Sequence, residues 1–116
     1  MRFRLALVVI LATLVAAPVA SAYIKLYGTV GPGPTIVLKR GNGTVVKSMH
    51  HGTRTFVIHD KSAAHNFHLV GPGVDKRTNI GFVGTRKWIG IVLRPGTYTI
   101  LCDAHPSTMR KTFQVN

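Results

Sequence analysis

The residues Cys102, His105 and Met109 place a thiol, an imidazole and a thioether within one short segment of the chain. Thiolate and thioether sulfur are soft ligands that suit copper. Two imidazoles and one thiolate in a trigonal array, with a weak axial methionine, form a copper site suited to the transfer of single electrons. The segment supplies three of these four ligands. The second imidazole must therefore come from another part of the sequence.

Two other interpretations of this segment compete with copper. The first is that the spacing is incidental, because a Cys followed by a His three residues later is only a weak signal of metal binding when it stands alone. Met109 strengthens it, because residues 23–116 contain only one other methionine, Met49. A structural zinc site usually takes four ligands from Cys and His, with occasional carboxylates, so a methionine in the set argues against zinc.

The second imidazole is expected from His65 rather than from His68. If residues 65–70 form a strand, alternation places His65 on one face with Phe67 and Leu69, and places His68 on the opposite face. The same alternation puts Cys102 at the end of an apolar face of the strand that precedes it. A sandwich would bring these two strand ends together, and His65 is therefore the preferred ligand.

The remaining histidines, His50, His51 and His59, are expected on the solvated surface. Clustered histidines also bind metals opportunistically, so a second site at these positions stays open as an alternative. Trp88 and Phe113 are expected in the core.

Turn signals recur about every 8–12 residues after position 23, a spacing typical of sandwiches and barrels. Helical periodicity is weak throughout. The pattern predicts strands at 23–30, 35–40, 44–49, 54–59, 65–70, 88–93, 97–102 and 112–116, with 44–49 forming a hairpin with 35–40 around Gly41-Asn42-Gly43. Segment 74–87 has no clear assignment. The expected fold is an all-β antiparallel sandwich of seven or eight strands.

Residues 96–106, which read Gly-Thr-Tyr-Thr-Ile-Leu-Cys-Asp-Ala-His-Pro, together with Met109 resemble the C-terminal copper loop of the cupredoxins, the small blue copper proteins. The His65-Asn66 pair resembles the pair that carries the upstream ligand in this family. Residues 60–74 look like plastocyanin/azurin-like domains, and the ligand loop looks like the amicyanin/pseudoazurin type. The resemblance is strong over residues 54–115.

The resemblance implies a cupredoxin-like Greek-key β-sandwich with one type 1 copper ion. It implies that His65, Cys102 and His105 are the equatorial ligands and that Met109 is the axial ligand. Asn66 would not bind the metal ion itself but would form hydrogen bonds to the ligand loop. His105 would form the edge through which electrons enter and leave the protein.

The sequence departs from the family pattern at two points. Three residues separate His105 from Met109, a spacing that differs from those of plastocyanin and amicyanin, so Met109 is the least secure of the four ligands. Arg110 and Lys111 also stand where the family commonly has a glycine after the methionine, which predicts an altered return into the last strand.

The first 22 residues have the pattern of a secretory signal peptide. Arg2 and Arg4 precede an apolar run over 5–17, and the small residues Ala20-Ser21-Ala22 follow. A membrane anchor is the alternative, but the run is short for a hydrocarbon core of about 30 Å. We expect cleavage after Ala22, a single domain over 23–116, and a periplasmic or extracellular location.

The net charge of the chain restricts the kinds of partner that it can bind. The chain has a formal net charge of +12 with only three acidic residues, a field that favours redox partners with acidic surfaces or an anionic membrane surface. A basic charge is by itself weak evidence for nucleic-acid binding. Because export is expected and no nucleic-acid-binding motif is recognised, we do not expect such binding.

Cys102 is the single cysteine and cannot form an internal disulfide. We expect a monomer.

The favoured function is a one-electron carrier that cycles one ion between Cu(I) and Cu(II), and not an enzyme. A multicopper oxidase would need further H-x-H histidine clusters, which the sequence lacks. A module that stores or delivers copper uses the same ligands and remains an alternative. A third possibility is a metal-free, immunoglobulin-like interaction domain, because a sandwich architecture alone specifies no function.

Overall fold

A computed structural model describes residues 2–3, 6–14 and 23–116. Residues 23–116 form nine strands and the described residues include no helix, so none of them forms a helix able to cross a membrane. The strands are β1 (Ile24–Val30), β2 (Ile36–Arg40), β3 (Ser48–Met49), β4 (Gly52–Asp60), β5 (His68–Gly71), β6 (Val74–Arg77), β7 (Gly84–Leu93), β8 (Gly96–Leu101) and β9 (Arg110–Val115). The predicted cleavage site after Ala22 lies outside the described residues.

The strands form two sheets packed face to face. The first sheet has the order β2-β1-β4-β7 and the second has the order β3-β9-β8-β5-β6. Alternating apolar residues turn one face of each sheet inward: Leu26 and Val30 are buried on β1, and Tyr98 and Ile100 are buried on β8. The sandwich therefore has one apolar core between the sheets.

The core continues to the end of the sandwich where β4 and β8 finish. Trp88 lies with its ring centroid 6.4 Å from that of Phe56 and 6.2 Å from that of Phe67, which joins the first sheet to the segment before β5. Cys102 and Met109 belong to the same cluster of buried residues. The thiol of Cys102 is therefore part of the hydrophobic core.

Tyr98 fixes the strand that leads to Cys102. Its ring stacks on Phe113 with centroids 5.4 Å apart, and its hydroxyl donates a hydrogen bond to the Arg94 carbonyl oxygen at 2.9 Å. The ring also lies directly over Gly71, where an added Cβ would stand 2.1 Å from a ring carbon. Any side chain at Gly71 would displace Tyr98, so close packing requires a glycine there.

The predicted all-β sandwich is confirmed, with differences in strand number and pairing. Nine strands replace the expected seven or eight, because segment 74–87 contains β6 and the start of β7. The pairing is mixed rather than antiparallel throughout: β1 pairs with β4, and β3 with β9, in parallel.

The predicted strand at 44–49 is wrong as a continuous element. Only a single bridge between Lys39 and Val45 joins it to β2. The Val46 amide still donates to Leu38, whereas the Lys47 carbonyl already accepts from Gln114 in the second sheet. The chain crosses from one sheet to the other here, and crossing interrupts the hairpin.

Candidate metal centre

The loop 102–109 joins β8 to β9 and is closed by its own backbone. The Cys102 amide donates to the Met109 carbonyl at 3.0 Å, and the Met109 amide donates to the His105 carbonyl at 2.9 Å. The His105 amide in turn donates to the Cys102 carbonyl at 3.1 Å. The first and last residues of the loop are thereby held together, and the three predicted ligands from this loop have fixed backbone positions.

His65 comes from an irregular segment between β4 and β5. Asp60, buried at the end of β4, accepts a hydrogen bond from the Ser62 amide at 3.1 Å, and the Ser62 carbonyl accepts one from the His65 amide at 3.2 Å. The expected strand at 65–70 begins only at His68, so the alternation argument for His65 fails. A turn, rather than strand alternation, directs His65 toward the loop.

His65, Cys102 and His105 meet at the end of the sandwich. The Cys102 sulfur lies 3.8 Å from Nδ1 of His65 and 3.8 Å from Nδ1 of His105. The ligand atoms of the three residues all lie within 4.8 Å of one another, and the two imidazole rings are 5.0 Å apart at 71°. Cys102 is 0% exposed and His65 is 7% exposed, whereas His105 lies at the surface.

These distances fit a single metal ion in a trigonal arrangement. Thiolate and imidazole bonds to zinc are about 2.3 and 2.0 Å long, and donors at such bond lengths in a trigonal plane lie roughly 3.7 Å apart. The two sulfur–nitrogen distances of 3.8 Å match that separation. The donor set of one thiolate and two imidazoles is the equatorial set of a type 1 copper site.

Met109 is 1% exposed and packs in the core cluster that includes Cys102. Its backbone is bonded to both Cys102 and His105, so its position depends on the same loop. Burial keeps the thioether away from water. The axial role of Met109 remains a prediction.

Asn66 links the two segments that carry the predicted ligands. Its side-chain oxygen accepts a hydrogen bond from the Asp103 amide at 2.8 Å, and its side-chain nitrogen donates to the Asp103 carboxylate at 2.7 Å and to the Thr78 carbonyl at 3.1 Å. Asn66 is therefore hydrogen-bonded to the ligand loop, the contact that the family resemblance implied.

His68 lies outside the group of residues that could share a metal ion, and it is buried. Its Nδ1 lies 2.7 Å from the Asp103 carboxylate and its Nε2 lies 2.5 Å from the Asp75 carboxylate. Neither Asp75 nor Asp103 was predicted to take part in the site. The one available signal was their scarcity, because the chain has only three acidic residues.

The pKa values of the Asp60 and Asp103 carboxyl groups are shifted in opposite directions. Burial raises the pKa of Asp60, and its hydrogen bonds with Ser62 and Thr78 and the charge of His65 only partly oppose this. Burial also acts to raise the pKa of Asp103, but hydrogen bonds from Asn66 and His68, with the charges of His68 and Arg77, outweigh it and lower that pKa.

The other histidines contact different parts of the fold. His51 is exposed with its Nδ1 2.8 Å from the Asn116 carbonyl oxygen, and His59 is half-buried with its Nδ1 3.1 Å from the Thr85 hydroxyl. His50 is exposed. Within the described ranges, His65, Cys102 and His105 form the only group of three or more His, Cys or acidic residues close enough to share a metal ion.

No protein-family profile and no curated protein sequence matches this chain. Among solved structures, reduced rusticyanin matches with a TM-score of 0.56 at 15% identity, covering 84% of this chain and 81% of that one. A second structure of rusticyanin, described as a copper protein, gives 0.52 at 15% identity, with coverages of 84% and 80%. Reduced auracyanin from Roseiflexus castenholzii gives 0.50 at 20% identity, with coverages of 84% and 98%. The chain therefore has the cupredoxin fold, and its His65–Cys102–His105 group fits a type 1 copper site.

Proposed function

We propose that this chain is an exported blue copper protein that carries single electrons between redox partners and is not itself an enzyme. His65, Cys102 and His105 would hold one copper ion, with Met109 as the axial ligand. The observation that carries the proposal is the buried Cys102 thiol with an imidazole nitrogen 3.8 Å away on each side. A copper ion held there would take up one electron from a donor and pass it to an acceptor by alternating between Cu(II) and Cu(I).

The fold would hold the four proposed ligand residues in position before a copper ion binds. The backbone bonds within loop 102–109 hold Cys102, His105 and Met109, and Asn66 fixes that loop to the segment that carries His65. A frame held by buried contacts resists rearrangement, so both oxidation states experience nearly the same geometry. Burial of Cys102 excludes water from the thiolate and protects it against oxidation.

His105 is the route for electrons in this proposal. Its imidazole is exposed, while the thiol of Cys102 behind it is fully buried. A partner can therefore approach the ring edge of His105 without opening the fold. Pro106 and Ser107, the next residues of the loop, are exposed as well.

The charge distribution supports acidic partners. Asp60 is buried and Asp103 is half-buried, so Asp75 is the only exposed acidic side chain among the three of the chain. The surface is consequently basic. We propose a monomer that meets acidic redox proteins, or works at an anionic membrane surface, and binds no nucleic acid. Electron exchange with an anionic probe such as ferrocyanide should be fast and should slow steeply as salt rises.

Voltammetry combined with a Cu(I) chelator separates electron transfer from copper delivery. An electron carrier should give a reversible one-electron couple and lose Cu(I) to the chelator slowly, because the ligands are held by a rigid frame. A delivery module should give a poorly reversible couple and rapid transfer of Cu(I). Rapid transfer would contradict the proposed function while leaving the ligand set in place.

A further inference from the structure

Two of the three acidic residues of this basic chain converge on one imidazole. His68, buried on β5, has the carboxylate of Asp75 at 2.5 Å from Nε2 and the carboxylate of Asp103 at 2.7 Å from Nδ1. A carboxylate accepts hydrogen bonds, so each ring nitrogen must donate one. Only the imidazolium form of histidine has two N–H donors, and the geometry fits that form.

Arg77 completes a group of alternating charges. Its guanidinium lies 3.6 Å from the Asp103 carboxylate and 3.8 Å from the Asp75 carboxylate. Asp75 and Arg77 belong to β6, His68 to β5, and Asp103 to the ligand loop. The group therefore connects the outer hairpin of the second sheet to the residue that directly follows Cys102.

We propose that His68 is a positioning residue for the metal centre: it fixes the Asp103 side chain and neutralises the negative charge of that carboxylate beside Cys102. The inference rests on the proposed copper site. His68 would not touch the metal ion. It would act through Asp103, whose amide and carboxylate both bond to Asn66.

Stability alone does not account for such a group. Most of its side chains reach solvent, and ion pairs at the surface contribute little to stability because water and salt screen them. The side chains of Asp103 and Asp75 are 29% and 63% exposed, so the group also spans from the site to solvent. What the arrangement provides is a defined position and charge at the residue after Cys102.

The charge has a directional consequence for the bound copper. An unpaired carboxylate on Asp103, the residue after Cys102, would favour Cu(II), the more positive ion, and so lower the reduction potential. The positive charges of His68 and Arg77 oppose this effect. His68→Gln should therefore lower the potential, and Asp103→Asn should raise it, each by on the order of tenfold in the Cu(II)/Cu(I) ratio, about 59 mV.

The test compares wild type, both single variants, the double variant and His59→Gln, all loaded with copper. His59 is a matched control, because it is a half-buried histidine whose ring bonds to the uncharged Thr85 hydroxyl. The double variant should return close to the wild-type potential. A purely structural role for His68 instead predicts a double variant at least as perturbed as His68→Gln, and that result would overturn the inference. Arg77→Gln, at an exposed side chain, should also lower the potential and replaces His68→Gln if that variant does not fold.

A second measurement on the metal-free protein separates this inference from the proposed function. Hydrogen exchange of the Asp103 amide should be faster in His68→Gln than in wild type and unchanged in His59→Gln. Unchanged exchange in His68→Gln would overturn the positioning role. Absence of the blue colour in wild type would contradict only the proposed function.

Discussion

The side-chain oxygen of Asn66 accepts a hydrogen bond from the backbone amide of Asp103 at 2.8 Å, across 37 positions of the sequence. This bond joins the segment that carries His65 to the loop that carries Cys102 and His105. The side-chain nitrogen of Asn66 reinforces it with bonds to the Asp103 carboxylate and to Thr78. The position of His65 relative to Cys102 and His105 therefore depends on contacts that Asn66 makes with the loop 102–109.

Replacing Asn66 with Ala should destabilise the metal-free protein and loosen the copper site. The substitution leaves the amide of the half-buried Asp103 without its acceptor, and an unsatisfied group that water cannot reach costs about 1–3 kcal/mol. Thermal and urea unfolding of the apo protein measure the loss. Thr97→Ala, which removes an exposed side-chain hydrogen bond to Gln114, serves as the control and should cost much less. Equal losses would argue against a special role for Asn66.

His65→Ala should abolish the blue colour, because the trigonal set would lose one of its two imidazoles. His50→Ala, at an exposed histidine outside the ligand group, should keep the colour at full intensity. Visible absorption after addition of Cu(II) distinguishes the variants. A blue His65→Ala protein would remove His65 from the ligand set.

Met109→Leu should raise the reduction potential while the protein stays coloured, because an axial thioether bond is long and weak and tunes the site more than it binds the metal. Met49→Leu is a matched control, since Met49 is partly buried against the same core but lies on β3. Voltammetry of both variants makes the comparison. If Met109→Leu leaves the potential at the wild-type value, Met109 is not axial.

The ligand loop was largely predictable, because Cys102, His105 and Met109 are close in sequence and follow a recognisable strand. His65 was correctly placed beside the thiol, but on the argument that it lay on a strand. In the structure the Ser62 turn and the Asn66 side chain supply hydrogen bonds that a strand ladder would otherwise provide.

The long-range contacts could not be predicted in the same way. His68 pairs with Asp75 seven positions away and with Asp103 thirty-five positions away. Segment 74–87 had no clear assignment, so no strand was expected to bring Asp75 to His68, and alternation placed His68 only on the face opposite His65. The hairpin between 35–40 and 44–49 ends early for a similar reason, because the chain leaves one sheet for the other at Lys47.

The stability of the metal-free protein should depend on pH through Asp103. Its pKa in the folded protein lies below the ordinary 3.8, so the ionised form stabilises the fold. This contribution is fully present above the unfolded-state pKa and is lost as the pH falls through the lower folded-state value. Urea unfolding at a series of pH values from about 2 to 6 should show it. In Asp103→Asn the loss on acidification should be smaller, and an identical pH dependence would contradict the assignment.

The visible spectrum of the protein after addition of one equivalent of Cu(II) tests the central claim most directly. A copper ion held by Cys102, His65 and His105 gives an intense blue absorption from thiolate-to-copper charge transfer. Cys102→Ser, which replaces sulfur with oxygen, should be colourless under the same conditions. Wild-type protein that binds one copper ion per chain and remains colourless would contradict the account.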